Sequence, residues 1–452
     1  MLKMVDGSDG GQGRRIAVIG SGISGLSAAW LLSKGADVTL FEAADRPGGH
    51  SNTVDVETSD GVLPVDTGFI VYNALNYPNL VALFEHLGVP TKASDMSFSA
   101  SLDNGGFEYS GSSLATLLGQ KSNIVSFRFW TMLVDILRFY RQARFAGTLP
   151  EADTMTLGEY LARERYSKAF IEDHILPMGA AIWSTTVNEM RAYPLTAFLR
   201  FFQNHGLVSL TDRPLWRTVD GGSREYVTRM LADFSGRVRL SSPVRQVKRT
   251  ARGVEISVAG EAAEQFDDVV IATHADQALA MLSDADTAER RLLSRFTYTP
   301  NRAVLHTDTA LMPKRKQVWA SWNYIGGQNE SGEGQLCVTY WMNRLQGLDP
   351  RHQLFVTLNP AREIDPAKVH AVFDYEHPLF DVDAMAAQKE IWRIQGRGGV
   401  WFCGAHCGSG FHEDGLQAGL AVAEAVGHVR RPWNVAEESG RIFLDAPLMA
   451  AQ

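Results

Sequence analysis

With 452 residues, 45% of them hydrophobic, the chain has material for two intimately connected domains with ample core. Its 43 basic and 51 acidic side chains leave a net charge of −8, which gives no general reason to expect a nucleic-acid partner. No run of about 18 apolar residues predicts a membrane-spanning helix, three cysteines make no disulfide framework and suit a reducing cytoplasm, and residues 1–14, polar and glycine-rich without a signal-peptide core, read as a disordered lead-in.

Residues 15–52 set the terms for the rest. Ile16 to Ile19 is an apolar run suited to a buried parallel strand. Gly20-Ser21-Gly22-Ile23-Ser24-Gly25 follows at once, Leu26, Ala29, Trp30 and Leu32 recur at helical spacing, and Val38 to Phe41 makes a second strand ending at Glu42. Strand, glycine turn, helix, strand and acid make a dinucleotide-binding unit. Gly20 permits the tight turn, Gly22 lets a diphosphate approach the backbone, and Gly25 lets helix and strand pack closely. The helix N-terminus adds unpaired N–H groups and partial positive charge. Glu42 is placed to accept from ribose hydroxyls and would repel a 2′-phosphate, leaving FAD or NAD. Ala43 then leads into Asp45-Arg46-Pro47-Gly48-Gly49-His50. A turn with paired glycines can lie along a cofactor that extends past its diphosphate, which favours FAD.

Further along, Thr53 to Val65 reads as a hairpin around Ser59-Asp60-Gly61, and Val65-Asp66-Thr67-Gly68-Phe69-Ile70-Val71-Tyr72 as a strand with a glycine. Tyr77 to Leu87 is an amphipathic helix stopped by Gly88. Lys121 to Phe145 carries Phe127, Trp130, Leu133, Val134, Leu137 and Phe139 at helical spacing, with Lys121, Arg128, Arg138, Arg141 and Arg144 against one acid, Asp135. Such a helix packs inside a substrate domain or lies on an anionic membrane. Leu195 to Leu207, with Phe198, Phe201 and Phe202 beside Arg200, repeats the character. Thr156–Tyr166 and Lys168–Met178 read as helices, the second ended near Pro177 and Gly179.

Val219-Asp220-Gly221-Gly222-Ser223 returns the chain to the first domain. A helix at Glu225–Phe234 and strands at Val238–Leu240, Pro243–Val247 and Asp268–Ile271 follow, the last running into Ala272-Thr273-His274. Residues 302–358 are strand-rich and aromatic. Finally Val400 to Cys403, the loop Gly404–Gly410 and the stretch from Asp414 and Gly415 to Gly419 give strand, glycine loop and a helix with small residues on one face. Cys403, His406, Cys407 and His412 match no zinc spacing, so no metal is expected.

The Gly20–Gly25 turn with Glu42, the EAxxRxGG tail and the second glycine loop resemble the flavin-containing amine oxidase and phytoene desaturase superfamily, whose members move a hydride from substrate to FAD. The three cofactor segments, near residues 15–72, 220–275 and 398–427, stand in the family's order. The resemblance implies an α/β fold (α+β overall), with a Rossmann-like FAD domain at 14–75, 215–275 and 390–432. A substrate domain of mixed sheet and helices at 76–214 and 276–389 is interleaved with it, with tails at 1–13 and 433–452. Beyond the first turn, it places Thr67, Gly68, Phe69 and Ile70 beside the flavin ring and Val244 by the adenine. It sets Ala272 under the cofactor, Gly404 at the diphosphate, and Asp414 and Gly415 at the flavin pyrimidine. The family usually carries an acid just after the Gly404 position, and here stands Ala405. Across its length the chain is most similar to a bacterial FAD-binding branch marked by VDTGFIVYN, ATHADQAL and CGAHCGSGFHEDG. That branch is associated with cyclopropane-type and furan fatty acid synthesis.

The function this implies is desaturation of a methyl-branched fatty acyl chain of a lipid. Expected partners are a lipid or fatty acyl substrate and an anionic membrane surface reached from the cytoplasm, without nucleic acid and with a homo-oligomer left open. An amine or amino-acid oxidase is the alternative, weakened because no lysine matches the one such enzymes keep near the flavin; Lys314 and Lys316 sit in a charged turn. A flavin-binding protein without turnover is the third reading. Candidates for the catalytic base are Glu413, His412, Tyr72 and His50. The bland readings are that His50 binds cofactor, Tyr72 is wall, and His412 and Glu413 cap the helix.

Overall fold

The computed structural model describes residues 13–444, apart from 148, 150, 153, 210–212, 329–333 and 336. The expected lead-in, but for Gly13 and Arg14, and the last eight residues lie outside the described residues.

The strand β1 (Arg15–Ile19), the helix α1 (Ile23–Leu32) and the strand β2 (Asp37–Phe41) form the first unit. Ile16, Ala17 and Val18 are fully buried, because a parallel strand is covered on both faces. The helix α2 (Pro78–Leu87) ends at Gly88 in the left-handed conformation, φ 64°. Then come β3 (Phe98–Leu102), β4 (Phe107–Ser110), α3 (Phe127–Ala146) and α4 (Leu195–Asn204). The chain continues through β5 (Arg237–Arg239), β6 (Asp268–Ile271), β7 (Thr297–His306), β8 (Trp322–Ile325) and β9 (Val338–Trp341). It closes with β10 (Phe355–Leu358), β11 (Val369–Leu379), β12 (Val400–Phe402) and α5 (His412–Gly427).

The five-stranded sheet has the order β5-β2-β1-β6-β12 and is parallel throughout. Its strands therefore end on one edge, and that edge collects Gly20, Glu42, Ala272 and the Cys403-Gly404 pair from segments far apart in sequence. Ligands of open parallel sheets bind outside such an edge. The second sheet has seven strands in the order β11-β7-β10-β9-β8-β3-β4. It is antiparallel except where β8 runs beside β3. One apolar core lies around the parallel sheet, a second on the seven-stranded sheet, and a third among the helices from α3 to α4.

The structure departs from the sequence reading in four places. The stretch from Lys168 does not stop at Pro177 but runs on to Trp183, through a π-helical segment at Ile171–Ile175. Proline lacks an N–H and crowds the carbonyl four residues back, and a widened turn relieves both problems. Lys121–Val125 is a separate 3-10 turn, and α3 begins after Ser126, whose hydroxyl accepts from the Phe129 N–H. Residues 433–444 are not a loose tail. Trp433 stacks on Trp30 with ring centroids 5.9 Å apart, and Arg441 pairs with Asp414 at 2.6 Å. The segment read as one strand from Val65 to Tyr72 is strand only to Asp66 and again from Tyr72.

Candidate functional site

The first glycine turn has the geometry its spacing suggests. Gly20 has φ +96°, and a Cβ there would lie 2.9 Å from the Ala272 carbonyl oxygen. A Cβ on Gly25 would sit 1.9 Å from the Gly20 carbonyl oxygen, so only glycine lets α1 begin so close to β1. A Cβ on Gly22 would meet nothing within 4 Å. The middle glycine thus borders open space at the head of α1, where no side chain caps the helix. Ile23 and Ser24 are buried in its first turn. Glu42 accepts from the Ser21 N–H at 2.9 Å and the Ala44 N–H at 2.8 Å, and also from the Ser21 hydroxyl. It therefore braces the turn, and its remaining lone pairs can accept from a ribose. Ala43 is exposed beside it, and Val244 begins a buried-edged strand at Val244–Thr250.

The paired-glycine turn folds over the first. Gly48 and Gly49 have φ +106° and +55°, and a Cβ on Gly49 would lie 3.0 Å from the Gly22 Cα. The Gly48 N–H donates to the Ser21 carbonyl at 3.1 Å. Arg46 donates through Nη2 to the Gly49 carbonyl at 3.0 Å, while its Nη1 is buried without a partner. His50 stacks on Tyr375 at 4.9 Å and lies 5.3 Å from His377, with its Nε2 also buried and unpaired. Gly68 runs against the His50 backbone, where a Cβ would come within 2.2 Å of the carbonyl oxygen. Thr67 bonds to Tyr375 at 2.9 Å, and Phe69 stacks on His412 at 3.7 Å. Ile70 turns into the second core.

At the far loop, a Cβ on Gly404 would collide with the His406 ring at 2.5 Å, and His406 Nε2 is a further buried, unpaired nitrogen. Asp414 accepts from the Phe411 N–H at 2.8 Å and holds Arg441 at 2.6 Å. Gly415 lets α5 close on α1, since a Cβ there would lie 2.7 Å from the Ser24 hydroxyl. The Asp414 carboxylate and Gly415 thus set the two helix N-termini side by side. Burial holds the imidazoles down, His377 to about 4 and His406 and His412 to about 3. His50 is pushed well below its usual value, by burial first and by the neighbouring His377 and His274 second. The unpaired groups of Arg46, His50 and His406 come from the glycine segments, next to the open face at Gly22. That donor set fits a long dinucleotide with a charged diphosphate, and it fits FAD.

The catalytic candidates divide. Glu413 is fully buried and accepts from the Asn79 N–H, the Asn79 side chain and Gln417 at 2.9–3.0 Å, and from the Leu80 N–H at 3.0 Å. It caps the start of α2, with three donors on Oε1, one on Oε2 and no exposed surface from which to meet a substrate. Tyr72 is in the first core, edge-on to Phe84 at 5.3 Å, so it is packing. His412 Nε2 is shared by the Tyr226 hydroxyl at 2.9 Å and the Ser51 hydroxyl at 3.0 Å. Of the four, His50 alone keeps a buried unpaired nitrogen, at the paired-glycine turn.

Sequence reasoning missed an aromatic wall around Phe411, the residue before α5. Phe201 stacks on Phe411 at 4.8 Å and on His205 at 3.8 Å, Trp183 lies 4.7 Å from Phe201, and Trp216 stacks on His205 at 5.9 Å. His205 donates from Nδ1 to the Phe201 carbonyl at 3.0 Å. That bond fixes its tautomer and leaves Nε2, buried and unpaired, as an acceptor. The only hint in the sequence was the mixture of phenylalanines with one histidine at the end of α4.

The family model of flavin containing amine oxidoreductases matches residues 23–427. Over 47 residues the chain is 49% identical to a zeta-carotene-forming phytoene desaturase of Myxococcus xanthus, covering 10% of this chain and 9% of that protein. Matches to curated relatives span a tenth or less of their own lengths. Cyclohexylamine oxidase from Brevibacterium oxydans superposes with a TM-score of 0.64 at 18% identity, over 92% of this chain and 99% of that one. A CLA-producing fatty acid isomerase from P. acnes does so with 0.65 at 15%, over the same shares. At those identities the likeness is one of fold.

Proposed function

The chain belongs to the flavin-containing amine oxidoreductase family, and we propose that within it the protein desaturates a methyl-branched fatty acyl chain of a lipid. The Gly20–Gly25 turn, Glu42, Arg46, His50 and the Gly404 loop would hold FAD, which when bound would supply a two-electron hydride acceptor. The single observation that supports an acyl substrate is the uncharged aromatic wall at Phe411. Trp183, Phe201 and His205 pack against it and Trp216 stacks behind His205, and the nearby Asp414 and Arg441 neutralise each other. Such a wall excludes water and holds a methylene chain. Lys314 packs on Gly105 and Lys316 lies over Trp319, so neither is the lysine an amine oxidase would keep at its ring.

Desaturation removes a hydride from one carbon and a proton from its neighbour, and the two electrons left form the double bond. In this reading the unpaired His205 Nε2 would accept that proton, ahead of Glu413, Tyr72 or the shared His412. Arg441 neutralises the Asp414 carboxylate, so the α5 N-terminus would keep its partial positive charge for negative charge on the cofactor.

Anaerobic mixing tests the reading. A phospholipid carrying a methyl-branched acyl chain should bleach the visible flavin band and lose two hydrogens. Bleaching by cyclohexylamine with none by the lipid would turn the assignment to amine oxidation. His205→Gln should slow bleaching roughly 10²–10⁴-fold while flavin content stays unchanged.

A further inference from the structure

Helix α3 has two apolar faces and only one of them is covered. Phe129, Met132, Phe139 and Ala143 are fully buried, while Phe127 is 86% exposed, Trp130 48%, Val134 63% and Leu137 44%. The exposed four recur at intervals of three or four residues, which places them on one stripe. Val125, just before the helix, is 87% exposed, and Leu215, whose neighbour Arg213 acts electrostatically on Tyr140 of α3, is 87% exposed. Single exposed apolar residues need no explanation, but a row of them beside a tryptophan does.

We infer that this stripe docks the protein on an anionic lipid bilayer, lying in the headgroup boundary without crossing it. No helix among the described residues is long and apolar enough to cross a membrane. Charge selects the occupant. The chain as a whole carries −8, yet residues 121–145 hold five basic residues and one acid. That acid, Asp135, is buried and paired with Arg138 at 3.0 Å. Lys121 and Arg141 are exposed and have no carboxylate partner among the described residues. The other cations do structural work: Arg128 is bound to Asp173 at 2.7 Å, and Arg138 lies over Tyr166 at 3.9 Å. The side chain of Arg144 lies outside the described residues. Lipid contact thus falls to the apolar stripe, with Lys121 and Arg141 steering it, rather than to the arginines as a group. From the covered face of α3 a succession of rings leads inward, Phe139 to Phe198 at 6.5 Å, Phe198 to Trp183 at 5.8 Å and Trp183 to Phe411 at 6.4 Å. The purpose of docking rests on the lipid-substrate reading, but the docking itself is testable without turnover.

The experiment is flotation of the flavin-loaded protein with vesicles of phosphatidylcholine, with and without phosphatidylglycerol. Wild type should float with the anionic vesicles at low salt, and added salt should reduce that fraction by the electrostatic part only. F127S/W130S/V134S should lower the floating fraction at least tenfold with unchanged flavin content. Phe127→Glu alone, at the most exposed position, should lower it severalfold and serves if the triple variant misfolds. Wild type that stays down with both vesicles, or variants that float equally well, would overturn the inference. So would sedimentation showing a wild-type dimer that the substitutions dissociate without any vesicle binding, because the stripe would then belong to a second copy. Loss of flotation with acyl oxidation intact on dispersed lipid would leave the functional reading standing.

Discussion

Helices α1 and α3 are both apolar, and they meet water in opposite ways. All ten residues of α1 are buried. It is closed in by β1, by β2 and by α5, which comes near enough at Gly419 that a Cβ there would strike the Ser24 carbonyl oxygen at 2.2 Å. Around α1 the closest backbone approaches, at Gly20, Gly25 and Gly419, each have a glycine to permit them. Among the described residues the twenty-residue α3 has no such partner on its outer side, and its stripe from Phe127 to Leu137 is exposed. The apolar helix against the parallel sheet is therefore committed to one packing arrangement, while α3 leaves an apolar stripe exposed. The largest test of that contrast is Gly25→Val. Its first side-chain atom alone would lie 1.9 Å from backbone, so a loss of more than about 4 kcal/mol and no retained flavin are expected in thermal unfolding and absorbance. A variant with normal flavin content would show that the turn tolerates the displacement.

The next effect in size separates two meanings of one carboxylate. Glu413 joins α5 to the first turn of α2, and burial raises its pKa while its four donors pull it down. Glu413→Gln leaves one acceptor oxygen for those donors, and an unsatisfied buried donor costs roughly 1–3 kcal/mol. Melting should fall by several degrees, with turnover per bound flavin little changed. Full stability with abolished turnover would restore Glu413 to the chemistry.

This contrast also explains what was legible beforehand. The cofactor half could be read because each glycine and Glu42 answers a local steric or charge demand within one strand–turn–helix unit, and the parallel sheet then aligns three such units on one edge. The wall at Phe411 could not be read. It joins Trp183, Phe201, His205 and Trp216 across more than two hundred residues, and aromatic residues at helical spacing look alike whether they line a site or fill a core. Glu413 misled for a related reason: an acid at the head of a helix aimed at a flavin has the sequence of a catalytic residue, and only the position of α2 reveals it as a cap. The exposed stripe of α3 was visible as composition, but which face it occupied depended on packing.

Acid should unsettle the two halves unequally. Burial holds His174, His205 and His306 at about 4, and His406 at about 3. In the unfolded chain these groups take protons near 6.5. Their folded pKa values are depressed, so below that pH the unfolded state binds more protons, and stability falls as pH drops from about 6.5 toward 4. Asp66, pushed up to about 6 by burial, and Glu413, also raised, run the opposite way, but these four histidines alone outnumber them. Each such histidine removes about 1.4 kcal/mol one unit below its free value. Three of the four lie outside the parallel-sheet core. Hydrogen exchange at pH 5.5 should therefore quicken in α4 and β7 before it does in β1, and equal protection in both halves would contradict this account.

The smallest expected effect is the most pointed, because it asks whether the outer stripe of α3 takes part in folding at all. Val134 is 63% exposed, so its methyl groups remain mostly in water in the native state. Folding removes little of their surface from solvent, and the transfer free energy that makes a buried valine worth keeping is largely absent. Serine keeps a short side chain at an exposed helical position, and its lower helix propensity is a matter of tenths of a kcal/mol. Val134→Ser should thus change unfolding free energy by no more than about 0.5 kcal/mol, where the same substitution at the fully buried Val18 should be several times more damaging. If Val134→Ser were as destabilising as Val18→Ser, the stripe would have to be covered in the native protein in solution, and α3 would resemble α1 after all.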